Sequence, residues 1–200
     1  MQLAASLSDP PSLSDGTAYA CFTNDWTAIR RPQHPLVVQR RAVPPLEQFE
    51  RHLLMRDPFM WRASGAPDLA TAQLGDLPGP LAEDIAMLAT RLAALMRCYE
   101  VRLRLELVDD DSCRKLHADY TDLRLITTYS GRGTQFARAN EKGADDLWNI
   151  DAGDIALVKG WQFGEGHAPC LHRSPPIAGT GEHRLLLAID TPRIDPEPGE

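Results

Sequence analysis

From Tyr99 onward this 200-residue chain changes its apolar spacing, and that change limits what it can fold into. Val101, Leu103, Leu105 and Leu107 alternate with Arg102, Arg104 and Glu106, the period of two that marks a half-buried strand. Three more β-like stretches follow: Leu123–Tyr129, Asp154–Lys159 and Arg184–Asp190. Each is closed by turn residues, namely Gly131-Arg132-Gly133, Gly160 and Pro192. Short strands punctuated by Gly, Pro and Asp predict a sandwich or barrel over 99–192. Gly131-Arg132-Gly133-Thr134 reads as a hairpin-type turn. It is a poor phosphate cradle, because no helix N-terminus obviously follows it.

The first half has another rhythm. Residues 1–16, rich in Ser, Pro and Asp, predict a disordered arm, and 17–200 a single domain. Within it, 17–98 is expected to be mainly helical or irregular. Residues 18–43 read as irregular, with Arg30-Arg31 and Arg40-Arg41 as solvated basic pairs. A helix is expected after Pro44-Pro45, carrying Leu46, Phe49, Leu53 and Leu54 and ending before Asp57-Pro58. A stronger one spans about 80–97. It has Leu81, Ile85, Leu88, Leu92 and Leu95 on one stripe, and Glu83 and Asp84 in what reads as its first turn. The fold class expected is therefore α+β, a β core with helices packed outside it.

Charge narrows the partners. Twenty-one basic against 28 acidic residues leave a net charge of −7, which argues against nucleic acid or an anionic membrane surface. No apolar run reaches the roughly 18 residues of a membrane span, and the N-terminus lacks the basic start of a signal peptide. The expectation is a cytoplasmic protein with reduced cysteines, since Cys21, Cys98, Cys113 and Cys170 are too scattered for a disulfide framework.

The candidate chemistry gathers late in the chain. In His117-Ala-Asp119-Tyr, two ligand types stand two apart, a spacing that puts both on one face of a strand. His172 follows in Cys170-Leu-His172-Arg-Ser-Pro-Pro, just past the strand ending at Lys159. Two imidazoles and one carboxylate form the facial set that suits non-haem Fe(II) and leaves coordination positions open. Alternatively, Asp119 merely caps the turn at Tyr120–Asp122, and His117 is an ordinary half-buried histidine. A rival metal set is Cys113, His117, Cys170 and His172, whose two sulfurs and two nitrogens suit tetrahedral Zn(II). Both cysteines could equally be small buried hydrophobes. His167 lies among three glycines in GWQFGEGHAP and is expected to stay out of any metal site, whereas Pro175-Pro176 stiffen the backbone beside His172. Arg124, in mid-strand, either meets solvent or lines the cavity as an anion-binding group. No Gly-x-Ser-x-Gly elbow is present.

The blocks CRKLHADYTDLRLITTYSGRGTQF, GDIALVKG, LHRSPP and RLLLAID resemble those of a bacterial family, domain-of-unknown-function family 1826. Members of that family often neighbour zinc-homeostasis and metal-chaperone GTPase genes. The resemblance therefore points to a metal-chaperone GTPase as a possible partner, and to zinc-binding metal homeostasis as the function competing with an enzyme. More distantly, the blocks are similar to Fe(II)/2-oxoglutarate oxygenases. That likeness implies a double-stranded β-helix of jelly-roll or cupin type. It also implies His117, Asp119 and His172 as iron ligands, and Arg184 as the clamp on the 2-oxoglutarate carboxylate. Tyr129 stands where such enzymes place a hydroxyl on the co-substrate. The substrate, a small molecule or a protein, is left open. Cys113, Cys170 and His167 depart from that pattern.

Overall fold

The computed structural model describes residues 20–46, 57–137 and 147–192. The expected disordered arm and the expected helix after Pro45 fall almost wholly outside these residues.

Ten strands and two helices are described. In chain order they are β1 (Ala20–Phe22), β2 (Leu36–Gln39), β3 (Phe59–Gly65), α1 (Pro67–Ala72), α2 (Gly79–Met96), β4 (Val101–Val108) and β5 (Leu123–Ser130). After these come β6 (Gln135–Ala137), β7 (Leu147–Asn149), β8 (Ile155–Lys159), β9 (His172–Arg173) and β10 (Arg184–Asp190). A 3-10 turn, Trp26–Arg30, stands between β1 and β2. Seven strands make one sheet in the order β1-β2-β8-β5-β10-β4-β3, antiparallel except at β1–β2; β7-β6-β9 make a second, small sheet. The described chain is thus mostly β-sheet with two helices.

Alternation decides what each face of the large sheet meets. Leu103, Leu105 and Leu107, Leu123 and Leu125, Ile155 and Leu157, and Leu185, Leu187 and Ile189 all share one cluster with the α2 stripe. That stripe is Leu81, Ile85, Leu88 and Leu92, each fully buried, and burial of each side chain contributes about 1.5–3 kcal/mol. The opposite parity, Ile126, Ala156, Val158, Leu36 and Val38, packs against Phe136, Ile150 and Cys170. The sheet therefore has a helix-covered face and a face covered by the small sheet.

Several expectations need correcting. The stretch expected to be mainly helical or irregular supplies β1, β2 and β3, three of the seven strands of the large sheet. Its strands are short, but β3 also alternates: Phe59, Trp61 and Ala63 pack with the helix-side core, while Met60, Arg62 and Ser64 are exposed. The glycine turn after β5 is no hairpin, because β5 and β6 belong to different sheets. Because α2 begins at Gly79, Asp84 lies past the first turn and faces inward rather than serving the helix dipole. Arg41 is not a solvated surface residue. Its guanidinium makes a two-pronged ion pair with Asp84, Nη2 lying 2.9 Å from Oδ2, and its Nε donates to the Gly153 carbonyl at 2.8 Å.

Lys159, on the helix side of β8, is fully buried. Its Nζ donates to the Arg31 carbonyl at 2.8 Å, lies 2.8 Å from His167 Nδ1, and stands over the Phe163 ring. Burial pushes the ammonium down to about 8 from its ordinary 10.5. Because the folded value is the lower one, the unfolded chain holds the extra proton between the two, so stability rises with pH across that window. In urea titrations at pH 8 and pH 10, Lys159→Met is expected to lose this rise relative to wild type. An equal rise in the variant would assign it to another group.

Candidate metal centre

The small sheet and the loop before β5 bring the first motif to the second. His117 forms a single antiparallel bridge to His172, with N–H···O bonds of 3.0 and 2.9 Å in the two directions. The backbone around His117-Ala-Asp119 is otherwise not a strand, so the expected strand geometry of this motif does not occur. What fixes Asp119 is the turn that follows it. Trp161 N–H donates to the Asp119 carbonyl at 2.9 Å, Gly160 N–H to Asp122 at 2.8 Å, and Gln162 N–H to Thr121 at 3.0 Å. This approach needs a glycine at 160, because a Cβ there would sit 2.0 Å from the Thr121 carbonyl oxygen.

Ligand atoms of His117, Asp119 and His172 all lie within 4.8 Å of one another, and among the described residues this is the cluster with metal-binding geometry. His117 Nε2 stands 3.8 Å from Asp119 Oδ1, and His172 Nε2 stands 3.3 Å from Oδ2. The far nitrogens are both occupied: His117 Nδ1 is 2.9 Å from the Lys115 carbonyl, and His172 Nδ1 is 3.2 Å from the Cys170 carbonyl. A carbonyl only accepts, so each Nδ1 carries the proton and each Nε2 presents a lone pair toward Asp119. Asp119 Oδ2 is buried with no hydrogen-bond donor. With both imidazoles neutral, lone pairs facing a buried carboxylate at such distances leave a place for positive charge between them, and this donor set fits a divalent cation with imidazole and carboxylate ligands.

Charge is arranged to keep the set ready. Arg124 projects from β5 and donates from Nε and Nη2 to Asp190 at 2.7 and 2.8 Å, while its Nη1 bonds Asp119 Oδ1. Burial works against the guanidinium charge, but Asp190 and then Asp119 outweigh it and raise its pKa. Burial likewise works to raise the Asp119 carboxyl, yet with no metal bound the His172 imidazole in its protonated form, and the Arg124 guanidinium, hold it well below the usual carboxylate range. Burial is the main reason that the His117 imidazole is shifted down, toward the neutral form a metal needs. Arg124 is therefore neither a solvent residue nor a free anion site: it orients Asp119.

A cavity of about 220 Å³ opens from this cluster, walled by His117, Asp119 and His172, floored by Ile126, Leu186 and Ala188, and bounded farther along by Glu106 and Thr134. Arg184 begins β10 on the same face as Leu186 and Ala188. It is fully buried, donates from Nε to the Arg132 carbonyl at 2.6 Å, and reaches Thr134 Oγ1 from Nη2 at 3.4 Å. Its Nη1 has no partner. Burial pushes its pKa down to about 10, still protonated at neutral pH.

Other candidates lie elsewhere. Tyr129 faces the helix side, fully buried, and its hydroxyl donates to Asp84 Oδ2 at 2.7 Å, so it does not reach this cavity. Cys170 is packed with Phe136 and Val158 in the apolar layer between the sheets, and Cys113 lines the cavity wall without joining the ligand cluster. The four residues of the expected zinc set are thus not assembled. His167 is tied to Lys159 and Phe163, away from the cluster. Sequence reasoning missed Gly160, Asp190 and the two orienting carbonyls. Only Gly160, as the punctuation after a strand, carried a visible signal.

No curated protein matches the chain by sequence. Among solved structures, it is similar to the 2-oxoglutarate binary complex of the dioxygenase for auxin oxidation 1 from Arabidopsis thaliana, with a TM-score of 0.55 and 12% identity over 90% of this chain and 95% of that one. A putative oxygenase from Shewanella oneidensis gives 0.55 and 11%, over 86% and 88%. JOX2 in complex with 2OG, Fe and JA gives 0.54 and 10%, over 80% and 68%. At such identities the likeness establishes a shared fold and no more. No helix among the described residues is long and apolar enough to cross a membrane. The sequence itself settles the family: over residues 23–190 it matches the pattern described as a protein of unknown function, DUF1826, and the chain belongs to that family.

Proposed function

We propose that this protein is an Fe(II)/2-oxoglutarate-dependent oxygenase built on a double-stranded β-helix of jelly-roll type. The observation that carries the reading is the convergence of His117 Nε2, His172 Nε2 and a buried, donor-less Asp119 oxygen, with both Nδ1 atoms engaged by backbone carbonyls. Structures of the same fold that contain 2-oxoglutarate and iron support it.

In this reading His117, Asp119 and His172 would hold the metal beside the cavity. When bound, the metal supplies coordination sites at which a co-substrate and O₂ meet. Arg184 takes the distal carboxylate of 2-oxoglutarate through the unpartnered Nη1, with Thr134 Oγ1 beside it. Ile126, Leu186 and Ala188 keep the space between apolar. Arg124 fixes the direction of Asp119, so little reorganisation is needed when the metal enters.

The purified protein is expected to take up one Fe(II) per chain under anaerobic conditions and to bind 2-oxoglutarate only in the metal-loaded form. Calorimetric titration of Arg184→Gln should show at least tenfold weaker 2-oxoglutarate binding, the scale of losing a charge-assisted carboxylate contact, with iron content unchanged. Zinc at one per chain, with no succinate formed from 2-oxoglutarate after iron reconstitution, would overturn the reading.

A further inference from the structure

On the small-sheet face, four strands of the large sheet line up their side chains in rows. The register places Arg124, Asp190, Arg102 and Ser64 side by side, and in the next row Ile126, Ala188, Arg104 and Arg62. Four arginines of a chain with net charge −7 therefore meet at one end of the sheet. They line an open groove of about 600 Å³ that shares Asp119, Arg124 and Arg104 with the cavity of the metal cluster.

The arginines are not equally engaged. Arg124 is spent on Asp190 and Asp119. Arg102 donates to the Thr191 carbonyl and lies 3.8 Å from Asp190. Arg104 Nε lies 2.6 Å from Glu106 Oε1, out of hydrogen-bond alignment. Arg62 makes no ion pair among the described residues. Moreover, Arg62 and Arg104 are direct cross-strand partners, an arrangement that destabilises a sheet by like-charge repulsion unless an anion relieves it. Nothing in the packing needs the Arg62 charge, because the core side of β3 is built by Phe59, Trp61 and Ala63, whereas Arg104 faces the buried Glu106 carboxylate.

We propose that the substrate carries an oxyanion head group, a carboxylate or a phosphate monoester, gripped by Arg62 and Arg104 in this groove while the rest of the molecule extends past Asp119 toward the metal cluster. The proposal rests on the oxygenase reading for the reaction and not for the binding. Arginine suits the task, because its planar fork matches both oxyanions bidentately. The site is distinct from Arg184. Arg184 begins β10, and Ala188, between Arg104 and Ile126, lies four residues further along that strand.

The test uses phenyl phosphate, phenylacetate and the neutral phenylacetamide as probes, titrated calorimetrically into the full chain. At least one anion is expected to bind and the amide not to, and the tighter of the two anions identifies the head group. Arg62→Gln should weaken anion binding about tenfold or more, and Arg62→Glu should abolish it. Arg62 is exposed on an edge strand, so these variants keep the fold; Arg104→Gln is the corroborating change. His172→Ala, which removes a proposed metal ligand, should still bind the anion. If turnover of 2-oxoglutarate is absent while Arg62-dependent anion binding persists, the oxygenase reading falls and the groove assignment stands. Anion binding equal in wild type and Arg62→Gln, equal binding of the amide, or no binding of either anion at millimolar concentration would overturn the proposal.

Discussion

His172→Ala is expected to purify with essentially no iron, its affinity lowered by more than the ten- to hundredfold typical of losing a residue that merely supports a ligand. The imidazole is one of three groups whose ligand atoms lie within 4.8 Å of one another, is almost fully buried, and is oriented by the Cys170 carbonyl. Among the described residues no fourth histidine, cysteine or carboxylate joins the cluster. His167, the nearest other imidazole in sequence, is engaged with Lys159, so His167→Ala should keep its metal. Cys170→Ser should also keep it, because the part of Cys170 that touches the site is its backbone oxygen, and the thiol lies in the apolar layer. Elemental analysis of the three variants, purified alike, checks the assignment. Equal loss in His167→Ala and His172→Ala would break it, and loss in Cys170→Ser would return the thiol to the ligand set.

How far the sequence could be read depended on segment length and on parity. β4, β5, β8 and β10 were legible to within two residues because each presents five or more residues of apolar pattern, and α2 because its stripe runs through about four turns. β6, β7 and β9 are two or three residues long, too short for any period to register, and they are the elements that bring His172 to His117. The candidate ligands were visible as residue types, but their convergence depends on one bridge and on Gly160 packing, neither of which has a periodic signature. Tyr129 shows a limit that counting could have lifted. It stands five residues from Arg124 on one strand, so the two point to opposite faces, and only one of them can line the cavity. Arg124 does. The acidic Asp84 misled for the opposite reason: a carboxylate near a helix start has a ready explanation in the dipole, and its partners Arg41 and Tyr129 are 43 and 45 residues away.

Those partners give the second large effect, on stability. Asp84 pairs with Arg41 through both oxygens and accepts the Tyr129 hydroxyl, tying the segment after β2, helix α2 and strand β5 into one buried unit. The side chains of Arg41 and Asp84 are 16% and 8% exposed. Burial, then Asp84, pushes the Tyr129 phenol well above its usual range, so it stays a donor at any working pH. Asp84→Ala leaves a guanidinium and a hydroxyl buried without their acceptor, which costs about 3–5 kcal/mol, whereas Tyr129→Phe removes one neutral donor and costs about 1–2 kcal/mol. At about 2–4 °C per kcal/mol for a chain of this size, Asp84→Ala should melt roughly 10 °C lower. Glu182→Ala breaks the Arg132 pair, whose side chains are 47% and 44% exposed, and should shift stability by no more than about 0.5 kcal/mol. Because Tyr129 is on the helix side of the sheet, Tyr129→Phe should bind iron and 2-oxoglutarate like wild type. A loss of co-substrate affinity in that variant, with stability unchanged, would place the phenol in the cavity after all.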